Sequence, residues 1–111
     1  MSTTALLVDV AVTPWWTLFV IGDLDLATGP DLDVRIDRTV AQHPGDGLIL
    51  DLSEVTFMDC VGLHPIMRAR NLLTDHLCLR GVHGAAQRLI ELAGVEASLH
   101  ILADGESPAH R

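Results

Sequence analysis

The segment Leu48-Ile-Leu-Asp-Leu52 is five residues long and apolar on both parities. A strand with one face in water alternates. A nearly continuous apolar run suits a strand that is central in a sheet or covered on both sides. Gly47 opens it, and a short connection leads to Asp59, with Val55, Phe57 and Met58 expected as core plugs on the way. A helix is then predicted from about Cys60 to Leu73. A buried strand followed directly by a helix is the repeating unit of an α/β domain.

The rest of the chain extends that unit. Ala5–Val12 and Trp15–Ile21 are apolar, β-branched runs separated by Thr13-Pro14, which reads as a hairpin. Gly22-Asp-Leu-Asp25 leaves the sheet. Thr28 or Gly29 can cap the next helix, with Pro30 in its first turn. Leu32, Ile36 and Val40 share one face of it, and it should stop near His43-Pro44-Gly45. In the helix after Asp59, the apolar members of the lines Leu63–Met67–Arg70 and Ile66–Arg70–Leu73 make the buried stripe. His76–Val82 reads as a fourth strand. His83–Ala93 reads as a third helix, with Ala86, Leu89 and Leu92 inward and Gly94 as its terminator. Leu99–Leu102 is a short last strand.

The resulting order is β-β-α-β-α-β-α-β. It predicts a small single-domain α/β fold with a mixed sheet: an opening hairpin, then parallel β-α units with helices packed on it. Residues 1–104 form the domain and residues 105–111 a flexible tail.

The chain has 111 residues, enough for one core. No apolar run is long enough for a membrane span, and Met1-Ser-Thr-Thr lacks the positive start of a signal peptide, so direct membrane insertion is not expected and the expected location is the cytoplasm. The net charge is -8, from 15 Asp+Glu against seven basic residues, all Arg. Such a surface repels phosphate backbones, which excludes nucleic acid as the natural partner and favours a basic protein surface. Cys60 and Cys78 are too few for a disulfide scaffold, and the six histidines show no metal-binding spacing, so no metal and no cofactor are expected. The two cysteines fall at opposite ends of parallel strands, which separates them too far for a disulfide.

Asp59 is placed to cap the helix, where a carboxylate accepts orphan N–H bonds and meets the positive end of the dipole. Cys60 follows in the first turn. Helix position favours its thiolate and the neighbouring carboxylate opposes it. Pro65 conflicts with a regular helix from Cys60, at a penalty of roughly 3 kcal/mol. A late start near Gly62 or a kinked first turn would relieve it.

Gly22-Asp-Leu-Asp25, Leu50-Asp-Leu-Ser-Glu-Val-Thr-Phe-Met-Asp59-x-x-Gly62-Leu63 and Ala86-x-x-Leu89-Ile-Glu-Leu-Ala-Gly94-Val, in that order, resemble the STAS domain of anti-sigma factor antagonists. The resemblance covers about residues 5–102. It implies a regulator that binds an anti-sigma factor, often an ATPase-fold serine kinase, in a partner-switching pathway that frees a sigma factor. It implies a docking surface of Asp25, Asp59, Cys60, Val61, Gly62 and Leu63. In that reading Asp59 caps and presents charge, Cys60 and Val61 make close contact, Gly62 admits the partner's backbone, and Leu63 anchors the core or the rim. It also implies phosphorylation of a Ser or Thr directly after the motif Asp. Cys60 stands at that acceptor position, and a thiol is not an ordinary serine-kinase substrate.

Two other functions fit parts of the sequence. One is a STAS adaptor or scaffold subunit, as in a transport system. The other is an enzyme with Cys60 as nucleophile and His64, four residues on, as base; Asp25 or Asp59 would orient it, although Asp59 beside a thiolate works against activation. The oligomeric state stays open. Elsewhere, one of Trp15 and Trp16 should face the core; His43 and His110 should be solvated; Arg68, Arg70, Arg80 and Arg88 should make surface ion pairs.

Overall fold

The computed structural model describes residues 4–12 and 15–108. Strands β1 (Thr4–Val12) and β2 (Trp15–Leu24) precede helix α1 (Gly29–Gln42). Then come β3 (Gly47–Met58), α2 (Cys60–Leu73), β4 (Leu77–Arg80) and α3 (Gly84–Ala93). Short 3₁₀ turns lie at Thr74–His76 and Glu96–Ser98. The sheet order is β1-β2-β3-β4. β1 is antiparallel to β2, and β2, β3 and β4 run parallel. This is the mixed sheet expected from the sequence. The breaker Thr13-Pro14 and His110 lie outside the described residues.

Alternation explains the core. Leu18 and Val20 of β2, Leu48, Leu50 and Leu52 of β3, and Leu77 and Leu79 of β4 share one parity and one buried cluster. Leu32 and Ile36 of α1, Ile66 and Ala69 of α2, and Ala86 and Ile90 of α3 complete it from the helical side. A fully buried Leu or Ile contributes about 2 kcal/mol, so this face of the sheet dominates stability. The opposite parity of β3 carries Ile49, which joins Trp15, Cys78 and Leu102 in a second, smaller cluster. β3 is thus central and apolar on both faces, as its composition requires.

That second face also buries Asp51. Its Oδ1 accepts from the Ser53 N–H at 2.9 Å and the Ser53 hydroxyl at 2.6 Å, and its Oδ2 accepts from Arg80 Nε at 2.9 Å. Burial raises the Asp51 pKa, but the Ser53 bonds and Arg80 together outweigh it and hold the carboxyl below its ordinary value of 3.8.

Several elements differ from expectation. β3 runs on to Met58, so Val55, Phe57 and Met58 belong to the strand. Val55 and Met58 are buried, but Phe57 is 49% exposed. The β2–β3 register shifts between Phe19 and Ile21 and between Gly22 and Asp23, which breaks the strict two-residue alternation. β2 likewise continues through Gly22, at φ 91, to Leu24 before leaving the sheet at Asp25.

The helices show two further differences. α2 starts at Cys60 despite Pro65, with no delayed start. Pro65 is buried and faces Gly29 of α1, where even a Cβ would sit in ordinary contact, 3.6 Å from Pro65 Cγ. In α3 Ala86 is buried and Leu89 packs against the core, as expected, and Ile90 is buried as well; Leu92 is 78% exposed and faces water. Gly94 terminates α3 with φ 70, as the sequence predicts.

β4 is confined to Leu77–Arg80, with His76 in a 3₁₀ turn. The last strand reduces to a single parallel bridge, Leu79 to Ile101. Beyond it, the Ala103 N–H donates to Glu106 Oε1 at 2.7 Å, and residues 109–111 lie outside the described part. His43 is not simply solvated: its ring stacks on Trp16 at 3.7 Å, and Trp16 Nε1 donates to Asp46. Of the four arginines, Arg68 bridges Asp33 and Asp37 of α1, Arg80 pairs with Asp51, and Arg70 donates to the Ser98 carbonyl instead of a carboxylate. Arg88 makes no ion pair among the described residues.

Candidate partner-binding turn

The turn after β3 is built by backbone contact. The Asp59 N–H donates to the Leu24 carbonyl at 3.3 Å, tying the exit of β3 to the exit of β2. Asp59 itself is extended and caps α2: its Oδ1 accepts from the Gly62 N–H at 3.0 Å. The cap predicted from the sequence is therefore formed. Gly62 then presses on the end of β2. A Cβ at that position would collide with the Leu24 carbonyl, whose carbon would be 2.8 Å away. The close approach that Gly62 permits is internal, with β2, and Leu63 is 8% exposed and belongs to the core.

The residues left to face outward are Cys60 and Val61, with Asp59 half-buried. Asp25 sits beside them as a turn former. Its Oδ1 accepts from the Ala27 and Thr28 N–H groups at 3.0 and 3.2 Å and from the Thr28 hydroxyl at 3.1 Å. Its carbonyl accepts the Gly29 N–H at 2.8 Å, which anchors the start of α1. Asp25 thus orders the loop that flanks the turn.

Three apolar residues of this end were not singled out from the sequence as surface groups. Leu26 is 71%, Phe57 49% and Ile21 37% exposed, and Val61 adds 44%. The register places Asp23 beside Phe57 and Leu24 beside Met58, which puts Phe57 at the end of the sheet where the Asp25 loop and the Asp59 turn leave it. The Thr56 hydroxyl donates to Asp23 Oδ1 at 2.9 Å and joins the two strands there. Among the described residues, Asp23, Asp25, Glu54 and Asp59 form no ion pair. The surface is therefore apolar in relief and negative in charge, and it suits a partner with apolar anchors and a basic rim.

The same geometry bears on catalysis. Cys60 is a free, exposed thiol, and among the described residues no hydrogen bond joins it to His64, Asp25 or Asp59. No base is oriented on the sulfur as a cysteine nucleophile requires. Cys78 is buried, and burial, with Glu106 nearby, pushes its thiol up to about 11, so it stays protonated and inert. Among the described residues no three His, Cys, Asp or Glu side chains gather as a metal site. No helix is long and apolar enough to cross a membrane.

A family model described as the STAS domain matches residues 9–106. The chain belongs to the STAS-domain family. The fold agrees. An anti-sigma factor antagonist from Mycobacterium paratuberculosis is 28% identical, with a TM-score of 0.77 over 89% of this chain and 84% of that one. The Bacillus cell fate determinant SpoIIAA in its phosphorylated form is 15% identical, with a TM-score of 0.64 over 91% of this chain and 93% of that one. A sulfate transporter family protein from Wolinella succinogenes is 17% identical, with a TM-score of 0.62 over 81% of this chain and 75% of that one. Comparison with curated protein sequences gives no match.

Proposed function

We propose that this STAS domain is an anti-sigma factor antagonist that binds its anti-sigma factor through the turn at Asp59–Val61 and so regulates transcription by partner switching. The observation that carries this reading is the exposed apolar and acidic patch at the end of β2 and β3, on a fold shared with an anti-sigma factor antagonist at 28% identity. Asp25, Asp59, Cys60 and Val61 are the proposed contacts. Gly62 and Leu63 serve the surface from behind, by locking α2 onto β2 and the core. Leu26 and Phe57 extend it. The protein works in the cytoplasm as a binding partner and catalyses no reaction.

Cys60 occupies the acceptor position of the family's phospho-switch. A phosphate carries about -1.5 to -2 charges at pH 7, and close apolar contact at residue 60 would have to strip it of water, so it would weaken docking. With a thiol there, the switch is absent and binding is constitutive. Incubation with the cognate kinase should leave the wild-type turn unmodified, while Cys60→Ser acquires phosphate. Phosphate found by mass spectrometry on residue 60 of the wild type contradicts this.

A second reading is supported by the fold shared with a sulfate transporter family protein: a cytoplasmic STAS subunit of a transport complex. Capture from native extract with mass-spectrometric identification separates the two. An anti-sigma factor supports the first reading, and a membrane transporter supports the second.

A further inference from the structure

The far end of the sheet from Asp59 holds a cavity of about 490 Å³, within the size range of small-molecule sites. It opens where β2 and β4 begin, between Trp15 and the segment from Ser98 to Ile101. Its wall is mixed in character. Trp15, Leu99 and Ile101 supply apolar surface, and Arg70, Ser98 and His100 supply donors.

Three observations mark this hollow as more than a packing defect. Arg70 donates through Nε to the Ser98 carbonyl at 3.0 Å, which fixes the guanidinium in the wall. Its two terminal nitrogens meet no carboxylate and no other acceptor among the described residues, in a chain with 15 acidic and seven basic residues. At the lip, Thr74 adopts φ 51, ψ -115, a strained conformation for a β-branched residue. Behind the wall, Trp15 is 4% exposed, its Nε1 has no partner among the described residues, and its ring stacks on His76 at 6.3 Å.

We infer that this cavity binds a small organic monocarboxylate with an apolar body. A guanidinium held by Nε presents its remaining edge to a planar carboxylate. The indole, Leu99 and Ile101 then cover the apolar part. Asp75 also lines the cavity and sets the charge limit. One carboxylate is matched by Arg70, whereas a doubly charged phosphate meets net repulsion. The site is remote from the Asp59 turn, so it stands or falls independently of the partner proposed there.

The test uses the full chain and benzoate as probe, with benzyl alcohol as the uncharged analogue and inorganic phosphate as the dianion. Benzoate should give saturable amide shifts in nuclear magnetic resonance spectra, centred on residues 98–101. Benzyl alcohol and phosphate should bind at least about tenfold more weakly. Arg70→Gln should lower benzoate affinity at least about tenfold, and Asp75→Asn should raise it. The second variant separates a charge effect from damage to the wall, because Asp75 makes no ion pair that its loss would break. No saturable shift at this segment overturns the proposal. So does equal binding of benzyl alcohol or phosphate, or unchanged benzoate affinity in both variants.

Discussion

The two ends of β3 reach the surface in opposite ways. At Met58 the chain turns through Asp59 and is sealed by backbone against backbone: the Asp59 N–H on the Leu24 carbonyl, and the bare Cα of Gly62 on the same group. What projects there is the side chains of Cys60 and Val61. At Gly47 the neighbour is a side chain, the Trp15 indole, and beyond that ring lies open volume. An end that carries exposed apolar side chains and carboxylates suits a macromolecular partner, and a concave end with a guanidinium held only through Nε suits a small molecule. Gly62, beyond one end of β3, and Gly47, at the other, thus meet different neighbours: backbone in the first case and an indole in the second.

Substitution at those glycines can break this contrast. Gly62→Ala should be the more damaging, by about 3 kcal/mol, the upper range for over-packing, because the Leu24 backbone cannot yield. Gly47→Ala also collides, with Trp15 Cδ2 2.6 Å from the new Cβ. The indole borders the cavity and can shift into it, so a smaller loss of about 1 kcal/mol is expected. Urea unfolding of both variants checks the order. A larger loss at Gly47 would show that the two ends are not built as described.

The next effect concerns the cap. Asp59→Ala removes the acceptor for the Gly62 N–H and should destabilise by about 1 kcal/mol in the same assay. A loss well below that would mean the cap adds nothing to the sealed end.

Acid titration sharpens the comparison of the sheet's two faces. Among the described residues the helical face carries no buried carboxylate, while the other buries Asp51 with a lowered pKa. For such a group the stabilisation is complete above the unfolded value near 3.8 and is lost as pH falls through the lower folded value. The urea midpoint of the wild type should therefore decline on acidification below about 4, and Asp51→Asn should decline less steeply. Parallel declines would remove Asp51 from the account.

Much of this was legible in the sequence, for local reasons. The β-α order follows from apolar run length and breakers, and the Asp59 cap from its position just ahead of a helical pattern. The misreadings arose where tertiary geometry overrides local pattern. Phe57 reads as a core plug in the connection before Asp59, but β3 continues through it, and there it is 49% exposed beside register shifts in the β2–β3 pairing. Leu92 reads as inward beside Leu89 and Ala86, yet the face set by Ala86 and Ile90 leaves it in water. Pro65 reads as disruptive from its own helix, while its burial against Gly29 of α1, 36 positions away in sequence, is visible only once α1 and α2 pack. The cavity was illegible for the same reason: Trp15, Arg70 and Ser98 share no local motif.

The account rests on the end of β3 being a surface that another protein grips. The most direct measurement is calorimetric titration of the captured anti-sigma factor into the wild type and Cys60→Asp. The substitution puts a carboxylate where the exposed Cys60 would make close apolar contact, so docking has to desolvate a charge; it lies in the first turn of α2, where the helix dipole tolerates negative charge and the fold should persist. Partner affinity is predicted to fall at least about tenfold, or about 1.4 kcal/mol, with the thermal midpoint unchanged. Equal affinity for the two proteins would place the docking surface elsewhere and contradict the account.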